Sequence, residues 1–211
     1  SSFGMVGPGK GYDDVIKALP KVVEKFPNLL YLIVGETHPV VRKESGEEYR
    51  NYLEKEIKKY SLQNHVKFYN KYLKVSEIIR YIKASDIYIS SSQNPNQITS
   101  GTLSYAMGCG RPIISTPFLH AQEIVNDERG RLVEFDNSES YANAIIEILS
   151  NPQEMKEMCK NSYHYTRHMT WPNVAISYEK VFNKYAQISK TSSNVLPELK
   201  LNHLNHMTDE F

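Results

Sequence analysis

A lysine set among glycines, a serine and a threonine flanking a glycine, and a histidine beyond a proline are the residues whose types and spacing could do chemistry. The first group is Gly4-Met5-Val6-Gly7-Pro8-Gly9-Lys10-Gly11-Tyr12, between a short apolar start and a helical pattern. A glycine-rich turn there presents backbone amides and a helix N-terminus to an anion, with Lys10 as a point charge. Gly4, four residues, Gly9 and Lys10 nearly spell a P-loop, but Gly11 stands where a Mg²⁺-binding Ser or Thr is needed. A dinucleotide fingerprint would want a third glycine at Tyr12 and an acid at the end of the second strand. A tight turn with a solvated lysine accounts for the same residues.

The second group lies in Gln93–Thr116, where Ser100, Gly101 and Thr102 stand at the entry to a helix, so that amides and hydroxyls converge at its positive end. A diphosphate could bind there without a metal; an ordinary Ser/Thr cap is the plainer explanation. The third is Ser115–Val125, in which His120 could face the same crevice. His164 and His168 share a helical face without the neighbouring carboxylate of a zinc-protease motif, and His203 and His206 fall near the end of the chain. No metal site is expected.

These groups need elements to hold them. Phe3–Val6 reads as a strand, and Val15, Ile16, Leu19, Val22, Val23 and Phe26 form one face of a helix that Pro20 should kink. Leu30–Val34 suits a strand buried on both faces. Thr37 and Pro39 open a helical region reaching about Tyr60. Strands over Val66–Tyr69, Asp86–Ser90, Pro112–Thr116 and Arg131–Phe135 alternate with helices over Val75–Lys83, Gly101–Cys109 and Ala121–Val125. Six strands alternating with helices predict an α/β fold with a doubly wound, Rossmann-like parallel sheet, and the candidate groups then share the carboxyl ends of its strands. Three helices follow, the first capped by Ser138, the second starting at Asn151-Pro152 and running to about His168, the third at Thr170-Trp171-Pro172 and reaching about Tyr185. The domain is expected over 1–187, and 188–211 reads as a linker or tail, the start of another domain.

Composition narrows the partners. Lys and Arg number 25 against 24 Asp and Glu, so no global field favours nucleic acid or an anionic membrane. The longest apolar run, Leu29–Val34, is six residues where a bilayer crossing needs about 20. Two cysteines, Cys109 and Cys159, fit free thiols in a reducing, cytoplasmic setting. The opening inside a strand suggests a piece of a longer protein.

The order GPGKG, LYLIVG, VKFYN, SEIIRYIKASDIYISSS, SYAMGCGRPIIST, EIV, GRLVEF resembles the carboxy-terminal half of GT-B glycosyltransferases of the family-4 type, over about residues 3–187. The resemblance implies a nucleotide-sugar domain whose partner is a separate N-terminal, acceptor-binding lobe, with no metal or other cofactor. It puts the phosphate-binding lysine on Lys10, while the usual arginine partner falls on Met5. The family's two glutamates, seven residues between them, fall on Gln97 and Tyr105. Gln97 can still bond sugar hydroxyls, and Tyr105 stands where the ribose is gripped. Lys10 and Gln97 are thus the implied catalytic residues. Gly9, Gly11, Tyr72, Ser100, Gly101, Thr102, Tyr105 and His120 join Lys10 as implied donor contacts. QITSGTLSYA, STPFLHAQE and RHMTWP resemble a bacterial subgroup, some of whose members continue into a glycosidase-like domain. The implied reaction is transfer of a sugar from a nucleoside diphosphate to a hydroxyl, with retention at the anomeric carbon. A non-catalytic nucleotide or sugar-phosphate binding module is the main alternative. An epimerase of the same fold would need paired acid/base carboxylates, and none are found in the crevice.

Overall fold

The computed structural model describes residues 1–191, with side chains described to 186. It divides into a compact unit, Ser1–Arg167, and a second unit from His168 onward. The division falls earlier than the boundary at 187 read from the sequence. The remainder of the expected tail, beyond Thr191, lies outside the described residues.

The first unit runs β1 (Ser2–Phe3), α1 (Tyr12–Lys25), β2 (Tyr31–Val34), α2 (Pro39–Ser45), α3 (Glu48–Lys59), β3 (Val66–Tyr69), α4 (Val75–Ala84), β4 (Tyr88–Ser90), α5 (Gly101–Gly108), β5 (Ile113–Ser115), α6 (Leu119–Ile124), β6 (Gly130–Leu132), α7 (Ser138–Ser150) and α8 (Pro152–Tyr165). The second unit contains α9 (Trp171–Thr191). All strand pairs are parallel, in two three-stranded sheets of order β1-β2-β3 and β4-β5-β6. The edges of β1 and β4 lie side by side: Ile89 N–H donates to the Ser1 carbonyl at 2.8 Å, and Ser2 Oγ–H donates to the Ile89 carbonyl at 2.7 Å. Laid out, the strands follow the order 3-2-1-4-5-6, whose direction reverses between β1 and β4.

Strand residues alternate between two cores, as the period of two requires when both faces are covered. Tyr31, Ile33, Ile89 and Ile114 face Val15, Ile16, Leu19, Leu53 and Ile145 on one side. Phe3, Val34, Tyr88 and Ile113 face Ile82, Leu103, Met107 and Phe118 on the other. Each fully buried Ile or Leu contributes about 1.5–3 kcal/mol of transfer free energy, so the two helix layers hold the strand ends in place.

Several local readings need correction. Val6 is not in a strand but forms a single parallel bridge with Thr37. The helical region after Pro39 is split at Gly46, whose φ of +63° ends α2. Two caps shift by one residue. His38, not Thr37, accepts the Val40 N–H, and Asn137, not Ser138, accepts the Ser140 N–H at 3.0 Å. Thr37 is occupied elsewhere, its hydroxyl donating to Glu47 and accepting from Arg50 Nε at 3.4 Å.

Arg50 ties together the exits of β2 and β3. Its buried guanidinium donates to the Gly35 carbonyl at 3.1 Å and Asn70 Oδ1 at 3.0 Å, and it stacks 5.0 Å from the Phe68 ring. Gly35 is required at this junction: φ is +148°, and a Cβ there would lie 1.9 Å from the Gly4 carbonyl oxygen. Gly35→Ala should therefore destabilise the fold by about 2 kcal/mol or more, combining backbone strain with that clash. A chemical denaturation midpoint equal to wild type would show that this junction tolerates a side chain.

Candidate functional site

The glycine-rich turn lies at the carboxyl end of β1. Pro8–Lys10 forms one turn of 3₁₀ helix, and Gly11, at φ +58°, redirects the chain into α1. Residues leaving β4 fasten it from behind. Gln93 N–H donates to the Gly9 carbonyl at 3.0 Å, and Ser91 Oγ–H donates to the Lys10 carbonyl at 2.5 Å. Gln93 Nε2 donates to Asp14 Oδ2 in the first turn of α1 at 2.8 Å. A Cβ on Gly11 would fall 2.4 Å from both the Gln93 amide nitrogen and the Ser91 carbonyl. Gly9 has no such neighbour, so its backbone is open to an incoming group.

This fastening sets the charges. Burial lowers the Lys10 ammonium below the ordinary lysine value, and Lys10 makes no ion pair among the described residues. Burial also raises the Asp14 carboxyl, with Asp13 adding to the shift and Lys17 opposing it. Lys17 spans both carboxylates, 2.7 Å from Asp13 and 3.6 Å from Asp14.

Ser100 is the N-cap of α5, its Oγ accepting the Leu103 N–H at 3.4 Å. Its own N–H donates to His120 Nδ1 at 3.0 Å. An accepting Nδ1 leaves the imidazole proton on Nε2, as a donor on the ring edge away from Ser100. The Gly101 and Thr102 N–H groups are the two orphan amides of the first turn, and a Cβ at Gly101 would meet no protein atom within 4 Å. Gln97 joins this cluster by accepting the His120 backbone N–H at 3.2 Å. Its side chain accepts from Ser92 Oγ at 2.7 Å and donates to the Thr99 carbonyl at 3.1 Å, leaving one amide hydrogen uncommitted.

Thr102 and Tyr72 share a cavity of ≈ 220 Å³ at the ends of β1, β2 and β3, walled by Phe3, Val34, Leu73 and Ile78. Tyr72, 73% exposed, stands at its mouth, and its N–H donates to Glu36 Oε1 at 3.1 Å. Tyr105, half-exposed farther along α5, is not among the residues lining this cavity. A larger hollow of ≈ 690 Å³ opens around Leu30, Tyr31 and Ile87. It lies at the amino ends of the strands, opposite the end where open α/β sheets place ligands. No group of three or more His, Cys, Asp or Glu side chains converges among the described residues, and no described helix is long and apolar enough to cross a membrane.

Gly9, Lys10 and Gly11 thus lie at the carboxyl end of β1, while Gln97, Ser100, Gly101, Thr102 and His120 are gathered by hydrogen bonds and chain position where the segments after β4 and β5 meet at the start of α5. Sequence reasoning missed Asp14, Ser91 and Gln93, whose roles depend on contacts between distant segments. It also missed Glu36, although an acid ending the second strand was the signal a dinucleotide fingerprint calls for.

Residues 2–165 match the family model described as Glycosyl transferases group 1. An uncharacterized glycosyltransferase of Methanocaldococcus jannaschii is 30% identical over 180 residues, which cover 83% of this chain and 42% of that protein. The chain therefore spans about half the length of the curated relatives it matches. The fold is also that of HepE from Anabaena, crystallised with UDP and glucose, at a TM-score of 0.72 and 23% identity, covering 92% of this chain and 47% of HepE. The C-terminal domain of the glycosyl transferase group 1 family protein LpcC of Francisella tularensis superposes at a TM-score of 0.68 and 23% identity, covering 77% of this chain and 81% of that domain. With its fold and a family match across the whole sheet in agreement, the chain belongs to the glycosyl transferases group 1 family and has the fold of a C-terminal domain.

Proposed function

We propose that this chain is the donor-binding half of a retaining glycosyltransferase, which moves a sugar from a nucleoside diphosphate to a hydroxyl acceptor. Lys10 carries the reading. It is a half-buried ammonium without an ion pair among the described residues, on a turn fastened at the same end of the sheet as the Gly101 and Thr102 amides. Partial desolvation without a counter-charge is a cost that a bound diphosphate relieves. HepE, of like fold, holds UDP and glucose, and that class of ligand suits cationic and amide groups at the same end of the sheet.

In this reading the anomeric carbon–oxygen bond breaks and negative charge grows on the departing diphosphate. Groups that bind the departing oxygens more tightly than the intact donor lower the barrier. We assign that task to Lys10, the two α5 amides and the His120 Nε2–H. The remaining Gln97 amide hydrogen serves a sugar hydroxyl, and the cavity beside Tyr72 takes the nucleoside. No metal is used. A non-catalytic binding module is the second reading, favoured by the bonds that hold the Gln97 amide to Ser92 and Thr99.

The half-length match to relatives supports a separate acceptor-binding lobe in the same polypeptide. The exposed Trp171, Tyr178, Phe182 and Tyr185 of α9 give that lobe an apolar face to cover.

Lys10→Ala should weaken UDP or GDP binding by about 1.5–3 kcal/mol, the range for a hydrogen bond to a charged group. Wild-type affinity in titration calorimetry would refute the phosphate role. The anion should also pull the lowered Lys10 pKa back up, so protons are taken up on binding and affinity falls as pH rises through the free-state value. Lys10→Arg should flatten that fall, since guanidinium stays charged. Sugar transfer by the full-length protein should survive EDTA; activity restored only by Mg²⁺ or Mn²⁺ would overturn the metal-free reading.

A further inference from the structure

The cavity at the ends of β1, β2 and β3 carries two charged side chains, Glu36 and Lys71, among mostly apolar walls. They leave neighbouring strands, since Val34 of β2 pairs with Tyr69 of β3. Glu36 is held against the loop that bears Lys71, because its Oε1 accepts the Tyr72 N–H at 3.1 Å. Its other oxygen is 3.8 Å from the Arg42 guanidinium, and both side chains remain more than a third exposed. A carboxylate has about four lone-pair sites, so Glu36 keeps acceptor capacity for a ligand. Thr102, in the first turn of α5, also lines this cavity. A nucleotide with its phosphates at that helix end therefore has its nucleoside here, a placement that rests on the donor-binding reading above.

A carboxylate acceptor in an otherwise mostly apolar cavity that a lysine also lines does not suit all bases equally. Guanine presents a carbonyl oxygen next to two adjacent N–H donors, which match an ammonium and a bidentate carboxylate. Uracil presents one N–H between two carbonyls, so one of its oxygens meets the carboxylate. Adenine sets its amine beside a ring-nitrogen lone pair, which the carboxylate repels. A site built to bond a polar edge rejects analogues lacking it, because its own groups are left unpaired. We infer that Glu36, assisted by Lys71, reads the donor's base, and that the donor is a guanosine diphosphate sugar.

The test titrates GDP, inosine diphosphate, UDP and ADP into the full-length protein and its Glu36→Gln variant. GDP should bind about ten-fold or more tightly than UDP and ADP, with inosine diphosphate between them because it lacks the 2-amino donor. Glu36→Gln keeps an acceptor for the Tyr72 N–H but replaces one carboxylate oxygen with a donor. It should weaken GDP about ten-fold, abolish the preference over inosine diphosphate, and leave UDP within about three-fold. UDP or ADP binding as tightly as GDP in wild type, or an equal loss for all four ligands in the variant, would overturn the base assignment while leaving donor binding intact. Failure of all four to bind would overturn the donor-binding reading and this inference with it.

Discussion

The close passage of the β4 exit behind the glycine-rich turn is the constraint on which the rest of the site depends. Gly11 has no space for a side chain, because the Gln93 amide and the Ser91 carbonyl each pass 2.4 Å from where its Cβ would be. Three bonds then fix the turn, to the Gly9 carbonyl, the Lys10 carbonyl and Asp14. They act across the same seam at which β1 and β4 join the two three-stranded sheets. Strand order reverses at that seam, which is where open α/β sheets place their ligands. The backbone of the glycine-rich turn is thus held by the contact that completes the sheet.

The fastening also decides which charges are neutralised. Asp14 faces inward, with Gln93 and Lys17 as partners. Lys10, on the same turn, has its main-chain carbonyl engaged by Ser91 and its ammonium left without a counter-ion among the described residues. A half-buried cation is raised in free energy by lost hydration, and a diphosphate recovers part of that loss. On the opposite wall, Ser100 N–H is used by His120 and Leu103 N–H by the Ser100 hydroxyl. Only the two amides between them stay open.

Much of this was legible in the chain. The continuous apolar run Leu30–Val34 and the periodicity of α1 pointed to the doubly wound fold, because burial on two faces leaves a strong pattern. Lys10 and Ser100–Thr102 were recognisable from local types, glycine at a strand-to-helix turn and a hydroxyl before a helix. The caps at His38 and Asn137 were misplaced by one residue. At Thr37 the reason is long-range: Glu47 and Arg50 draw its hydroxyl away from the helix start. Gln93, Asp14 and Arg50 were illegible for the same cause, since Gln93 and Asp14 meet across 79 residues and Arg50 reaches Gly35 and Asn70 across 15 and 20. Glu36 carried a positional signal, and only the cavity it shares with Lys71 gives that position a chemical meaning.

The geometry also bears on why such a chain would need more polypeptide to act. Every group proposed for the donor sits at strand ends, and a Cβ at Gly101 or Gly9 would meet no protein atom, so the first turn of α5 and the glycine turn are both uncovered. An uncovered crevice can bind an anion through fixed amides and a lysine. It cannot exclude water from a breaking glycosidic bond, nor strengthen its charges by lowering the surrounding dielectric. Both effects require a second surface closing over the donor, and the chain's match to only about half the length of its curated relatives agrees with that surface being supplied from elsewhere in the polypeptide. On the proposed function, donor affinity and transfer would belong to different parts of the energy balance: Lys10 and α5 would set the first, and closure by a second surface would convert it into the second.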